Sequence, residues 1–511
     1  MELFSNLALG FETALSLQNL MYAFIGVLLG TLIGVLPGLG PSTTIAMLLP
    51  ITYTLPPVAA LIMLAGIYYG SNYGGATAAI LLNLPGTPTS AVTCLEGYPM
   101  AQQGRAGVAL FMTAIASFVG SITGMLIMGI FSPPLAKLAL TFSAPEFFSL
   151  MVLGLVAASM LSAGSPLRGA AMIGIGLIFG LVGRDIDSGL MRFSFNIDEL
   201  YEGLPIVAMA LGIFGLPEII RNAGVIKPRP IKASDITFRS MLPTREDWRR
   251  SRGPMVRGTS LGAFFGTLPG TGGLLASFMS YATERRISKH PEQFGKGAIE
   301  GIAGPESANN AGVQTAFIPT LTLGIPGDVV MAIMIGAMTI HGIQPGASVI
   351  TSHPDLFWGL VVSFALGNVM LLVLNIPFIG FWVRMLTIPY SVLYPFIIAF
   401  ICIGVYSVNN SVMDLYVLIF FGVMGAVLSY LRFEVAPLVL GMILGPMLET
   451  NLRRALTLYR GDYTVFFTRP ISALFLTASL LIIAWTVFAY IRRRSRTRMA
   501  AERTAQAERE L

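Results

Sequence analysis

Four short stretches of this sequence place ion-binding chemistry inside otherwise apolar surroundings. PGLGPSTT (37–44) and PGTPTS (85–90) set Ser42, Thr43 and Thr44, and then Thr87, Thr89 and Ser90, directly after Pro-Gly breaks. PGTG (269–272) and IPGD (325–328) do the same for Thr271 and Asp328. Proline has no amide donor and clashes with the preceding helical turn, while glycine permits backbone angles closed to other residues. Each break therefore leaves amides and carbonyls outside a helical ladder. In hydrocarbon such groups cost several kcal/mol each, so they must face protein or a water-filled cavity. Free amides at the start of a half-helix carry about half a positive charge and suit a carboxylate. On this reading the expected anion-binding residues are Gly38, Gly40, Ser42, Thr43, Thr44, Gly86, Thr87, Thr89, Gly270, Thr271, Gly272 and Gly327. Free carbonyls, joined by Asn72, Asn309, Asn310 or Asp328, would coordinate a small hard cation such as sodium. Glu306, in AGPESANN, is a further acid in apolar surroundings, and Asp328 is preferred because it directly follows a break.

The elements that position these residues must be membrane helices. The 511-residue chain is 54% hydrophobic and 11% charged, against roughly 25% charged residues in a soluble domain. Apolar runs at 107–131, 356–382, 389–408 and 470–490 approach or exceed the ~20 residues a helix needs to cross a bilayer. Other apolar pieces are shorter: Tyr22–Leu36, Val58–Tyr69, Ala76–Leu84, Gly258–Leu268 and Val329–Ile340, each abutting a Pro-Gly or Asn-Gly element. The expected fold is an all-α polytopic membrane protein with broken helices and re-entrant hairpins, in roughly 10–12 membrane segments. The net charge of +6 comes from a central loop and a tail, so it marks topology and lipid headgroups rather than a nucleic-acid partner. Two cysteines, Cys94 and Cys402, indicate neither a disulfide framework nor a cysteine metal site. The N-terminus lacks a basic n-region, so a cleaved signal peptide is not expected.

The chain also repeats itself. GTLIGVLPGLG (30–40) and GAFFGTLPGTG (262–272) share Gly30/Gly262, Gly34/Gly266, Leu36/Leu268, Pro37/Pro269, Gly38/Gly270 and Gly40/Gly272. Downstream, SNYGG (71–75) aligns with NNAG (309–312), and NLPGTP (83–88) with GIPGDV (324–329). No Lys or Arg precedes Arg105, although Glu2, Glu12 and Glu96 do, whereas Arg221–Arg257 holds ten basic residues against three acids. By the positive-inside rule the first copy is entered from outside and the second from the cytoplasm, which gives an inverted-topology repeat. The expected organisation is a first half at 1–222, a basic cytoplasmic linker at 223–256 and a second half at 257–450. A connecting loop and final helix follow at 451–491, then a basic cytoplasmic tail at 492–511. Residues 451–469 are expected outside, and 258–282 as a re-entrant hairpin with its tip at 269–273.

At these residues the sequence resembles the large membrane subunit of the tripartite tricarboxylate transporters. The stretches that carry the resemblance are GVLPGLGPSTTIAMLLP (34–50), YYGSNYGGATAAILLNLPGTP (68–88), GTLPGTGGLLASF (266–278) and AGPESANNAGVQTAFIPTLTLGIPGD (303–328). The resemblance implies a bacterial inner-membrane importer of organic carboxylates, driven by a sodium or proton gradient. It also implies a small four-helix membrane subunit and a periplasmic solute-binding protein as partners.

Other classes fit less well. No GxxxxGK[ST] phosphate loop occurs, so this chain does not itself hydrolyse ATP. An intramembrane aspartyl enzyme would need a second acid beside Asp328, and the sequence has GIPGD without a Tyr-Asp partner. HExxH is absent. No cofactor is expected. A passive anion channel stays open on sequence alone.

Overall fold

The computed structural model describes residues 2–36, 40–160, 166–185, 188–223, 238–268, 272–386, 390–486 and 488. Residues 224–237 of the expected linker and all of the 492–511 tail lie outside these residues.

The first half comprises helices α1 (Glu2–Ala14), α2 (Leu17–Val35), α3 (Pro41–Thr52), α4 (Pro57–Leu82), α5 (Ala91–Met100) and α6 (Ala106–Ala139). It continues through α7 (Ala144–Met160), α8 (Pro166–Gly180), α9 (Ile206–Ala210) and α10 (Leu216–Ala223). Between α8 and α9, Gly183–Arg184 pairs antiparallel with Met191–Arg192. The second half runs through α11 (Phe238–Met241), α12 (Arg245–Gly266), α13 (Gly272–Ile287), α14 (Glu300–Thr315), α15 (Phe317–Leu323), α16 (Val329–Ile340), α17 (Ser348–Ser352) and α18 (Pro354–Asn375). The remainder is α19 (Ile379–Met385), α20 (Tyr390–Asn409), α21 (Val412–Tyr430), α22 (Ala436–Leu458) and α23 (Val465–Thr468), with α24 at Pro470–Thr486. Helix α12 is continuous across 256/257, where the linker was expected to end.

This is an all-α multi-pass membrane protein. Leu17–Val35, Pro88–Ala139, Pro354–Asn375 and Val412–Tyr430 are long and apolar enough to cross a bilayer, and shorter apolar helices accompany them. Helices α20, α21 and α24 turn Phe396, Phe400, Ile403, Tyr416, Phe420, Val423, Leu481 and Trp485 outward. Water would not tolerate so continuous an apolar surface, whereas lipid does.

Two helix pairs organise the centre. In α2, Gly26, Gly30 and Gly34 sit on the backbone carbonyls of Met63, Ile67 and Ser71 in α4, and a Cβ added at Gly30 would lie 2.5 Å from the Ile67 oxygen. Gly70 and Gly74 of α4 meet the α2 backbone in return. In α12, Gly258, Gly262 and Gly266 sit in the same way on Gly304, Ala308 and Gly312 of α14. Small residues at four-residue spacing let helix backbones touch, which maximises dispersion contact where lipid supplies no hydrophobic drive.

These contacts set the repeat register. Met63, Ile67 and Ser71 each precede their counterparts Gly304, Ala308 and Gly312 by 241 residues. The same offset relates Asn83 and Gly324, both in the left-handed conformation where α4 and α15 stop. It also relates Gly86, wedged against Gly75, to Gly327, wedged against Ala316. NLPGTP and GIPGDV therefore correspond as the sequence indicates, but SNYGG corresponds to 312–316 rather than to NNAG. Neither SNYGG nor NNAG breaks a helix: α4 and α14 run straight through them. Their glycines serve close packing, not chain reversal.

The halves run in opposite directions. Helices α2 and α4 are parallel, as are α12 and α14, by the ascending order of their glycine contacts. Between halves the order reverses. Thr93 bonds Glu306 while Glu96 lies against Gly301, and Tyr68 reaches Asp328 while Asn72 reaches Asn309. Each half's returning hairpin helix packs on the other half's post-break segment, α3 on α16 and α13 on the turn at 88–90. That exchange is what a pseudo-two-fold axis produces. The second hairpin returns to its own side, since Arg257 pairs with Glu284 at 2.6 Å.

The basic flanks gather at one end. Arg250 pairs with Glu300 at 2.7 Å and Arg105 with Asp247 at 2.6 Å. Burial pushes the Asp247 carboxyl up, but the Thr244 amide and Arg105 outweigh it and hold the group below its usual range. Glu96, expected to mark the external face, lies at this same basic end. It is buried and accepts from the amides of Gly295, Gly297 and Ala298 and from the Tyr281 hydroxyl. A lone acid used as a cap carries no topological signal, which is why its sign misleads.

Because Gly262 meets backbone, Gly262→Val should destabilise the protein by on the order of 3 kcal/mol or more, seen as a large fall in melting temperature in detergent. Gly174→Ala, where an added Cβ meets nothing within 4 Å, should leave that temperature unchanged.

Candidate functional site at the crossing of the two halves

The site lies where α4 crosses α14 and the breaks of both halves converge. Gly272 adopts φ +51°, and a Cβ there would lie 2.9 Å from Cβ of Asp328. Glycine is required on both counts. Asp328 caps α16 by accepting from the Met331 amide at 2.9 Å, and it accepts from the Tyr68 hydroxyl of the opposite half. The second hairpin's break, the cap of α16 and the middle of α4 thus meet at one carboxylate.

A second chain of bonds crosses the same centre. The Thr87 and Thr89 hydroxyls are 2.9 Å apart, Thr89 donates to Asn72 Oδ1 at 3.0 Å, and Asn309 Nδ2 reaches the same oxygen at 3.5 Å. Ser90 closes the turn by accepting from the Thr87 amide. Thr87 and Asp328 are related by the 241-residue offset, and both open the segment after a break. Their side chains differ, so the two sides of the centre are chemically unequal: hydroxyls on one, a carboxylate on the other.

The expected residues fall into distinct groups. Asp328 stands at the second break, and Asn72, Asn309, Thr87 and Thr89 form the hydroxyl-amide chain. Asn310 does not join them. One position further round α14, it donates to Ser117 at 2.8 Å and to the carbonyl of Glu306 at 3.0 Å. The expected cation ligands are therefore split over separate groups rather than gathered into one shell. Among the described residues, no cluster of three His, Cys, Asp or Glu side chains occurs.

Of the hydroxyls after the first break, Thr44 bonds back to the Gly40 carbonyl at 3.0 Å. That local bond is common for threonine in helices. Ser42 is partly exposed, and Thr43 is buried with its methyl group facing Gly215. Gly40 begins α3 in an extended conformation. Gly86 and Gly327 are accounted for by close approach to Gly75 and Ala316. Gly38, Gly270 and Thr271 lie outside the described residues.

Several central residues escaped the sequence reading. Thr93 and Ser117 carry no motif, since an isolated Ser or Thr hydroxyl in an apolar helix usually bonds its own backbone, and Tyr68, although within a quoted stretch, was not singled out as a partner for Asp328. Glu306, noted but ranked below Asp328, is 1% exposed and accepts from Thr93 and, at 3.3 Å, from Ser117.

Oppositely directed halves with broken helices meeting at a buried polar centre are an arrangement that recurs in membrane transporters. Residues 20–440 match the tripartite tricarboxylate transporter TctA family. This chain belongs to that family, which consists of transporters and not of enzymes, so it is a membrane-spanning subunit of a tripartite tricarboxylate transporter. A protein of Agrobacterium vitis described as an uncharacterized 52.8 kDa protein in the TAR-I ttuC′ 3′ region is 52% identical over 492 residues, covering 96% of this chain and 98% of the relative. A second protein of that organism, from the TAR-II ttuC′ 3′ region, is 54% identical over 231 residues, covering 45% of this chain and 96% of its own length. No solved structure matches.

Removing the cap should separate charge from capping at Asp328. Asp328→Ala should lower stability by about 0.5–2 kcal/mol, read as a lower melting temperature. Asp328→Asn keeps an acceptor for the Met331 amide and should recover most of that loss.

Proposed function

We propose that this chain is the translocation subunit of an ion-gradient-driven importer of organic carboxylates, working by alternating access. The observation that carries this reading is the meeting of two oppositely directed breaks at one buried polar crossing. A single static gate could be built from one hairpin. Two inverted copies around a shared centre instead favour two states related by the pseudo-two-fold axis, one open to each face.

The substrate carboxylates would be held at the crossing by the amino-terminal end of α13, with Thr87 and Thr89 as hydroxyl donors. Ser42 and Thr43 stand at the start of α3 and would line the approach. A gradient is needed because a negative-inside potential opposes anion entry by about 2.3 kcal/mol per charge per 100 mV. Coupling to sodium or protons would reverse that balance.

In this reading the protein sits in a bacterial inner membrane. The end bearing Arg105, Arg245–Arg257 and Arg285–Arg286 faces the cytoplasm, and the start of α2 faces the periplasm, following the positive-inside rule. The family's tripartite organisation supports two partners, a small membrane subunit and a periplasmic binding protein that delivers substrate.

The test is uptake of labelled citrate, and of smaller dicarboxylates, into proteoliposomes holding both membrane subunits with the binding protein outside. Uptake should be saturable, require the binding protein and stop when the ion gradient is collapsed. Uptake at full rate without any gradient would contradict the proposal and favour a passive anion channel.

A further inference from the structure

A second polar seam lies beside the crossing, where α6 packs on α14. The two helices run parallel, with Gly120 on the backbone of Ser307 and Gly124 against Ala311 and the Gln314 Cβ. At four-residue intervals α6 carries Thr113, Ser117 and Ser121, and α14 carries Glu306, Asn310 and Gln314. Asn310 and Gln314 are both 0% exposed.

The bonding of this seam is incomplete in a specific way. Ser117 links Glu306 Oε2 to the Asn310 amide nitrogen, and Thr93 donates to Glu306 Oε1. Asn310 Oδ1, both amide atoms of Gln314 and the Thr113 hydroxyl have no partner among the described residues. A buried amide without a partner costs about 1–3 kcal/mol. Aligning several of them beside a carboxylate, on helices that apolar residues would fill more stably, calls for a function.

We propose that Glu306, Asn310 and Gln314, with the α6 hydroxyl of Ser117, form a sodium-binding site. The chemistry selects the ion. All the unsatisfied acceptors are oxygens, which suit a hard cation. Glu306 is the one carboxylate on the seam, so a monovalent ion neutralises it, whereas calcium sites draw on several carboxylates. A proton on Glu306 would leave the Asn310 and Gln314 oxygens as unsatisfied as before, so protonation alone does not account for them. The site deepens the ion-driven reading above and rests on it only for what the bound cation is used for. Through Thr93 of α5 it touches the segment that follows the break at 85–88, a direct route from ion occupancy to the substrate centre.

Occupancy can be measured without transport. The purified full-length chain in detergent is melted across a sodium chloride series held at constant ionic strength with choline chloride. The melting temperature should rise with sodium and not with potassium. Glu306→Gln and Gln314→Leu should each raise the half-saturating sodium concentration by about 10-fold or more, while melting in choline alone shows that each variant is folded. Gln314→Leu keeps the carboxylate, so the test survives if Glu306→Gln fails to fold. No sodium response in the parent, an equal response to potassium, a sodium response kept by both variants, or a response to pH alone would overturn the site. A failed carboxylate uptake assay alongside an intact sodium response would count against the transport reading and not against this site.

Discussion

Backbone resting directly on backbone is the constraint from which this fold follows. Gly26, Gly30 and Gly34 on α4, and Gly258, Gly262 and Gly266 on α14, bring each pair of helices closer than any side chain allows. In lipid, association must come from dispersion and from polar groups, and contact this close supplies the first. It also fixes axial register, because a glycine that has found a carbonyl cannot slide without driving a Cβ-bearing neighbour into that carbonyl. Register then determines where the chain breaks. The hairpins reverse just after Gly34 and Gly266, opposite Ser71 and Gly312, and this sets their loose ends at the level of the polar crossing.

Much of this was legible in the sequence because the same residues serve packing and breaking. Gly30/Gly262 and Gly34/Gly266 marked the repeat, and Asn83-Leu-Pro-Gly86 and Gly324-Ile-Pro-Gly327 marked equivalent helix stops. What misled was treating every small-residue cluster as a break. SNYGG and NNAG resemble turn sequences, yet in a bilayer glycine is tolerated inside a helix when a neighbouring backbone fills the space its missing side chain leaves. Pairing SNYGG with NNAG so that Asn72 meets Asn309 was wrong by four residues for the same reason. These residues touch across the axis rather than occupying equivalent positions.

The site was less legible than the fold. Local spacing identifies which amides a break releases, but it is blind to partners hundreds of residues away, such as Tyr68 for Asp328 or Ser117 for Asn310. Glu306-x3-Asn310-x3-Gln314 is a polar stripe of helical period within one helix, and the sequence reading did not single it out. The unequal chemistry of Thr87 and Asp328 shows how a duplicated scaffold can be kept while its two centres diverge. The backbone repeats, and the side chains at the breaks need not.

Inversion of the two halves is the claim on which both the substrate centre and the two-state mechanism stand. It is tested most directly by single cysteines replacing Leu17, at the start of α2, and Lys289, just past α13, in a chain lacking Cys94 and Cys402. Both positions are exposed. In sealed vesicles of known orientation treated with a membrane-impermeant maleimide, the two should label from opposite faces. Labelling of both from the same face would contradict the account.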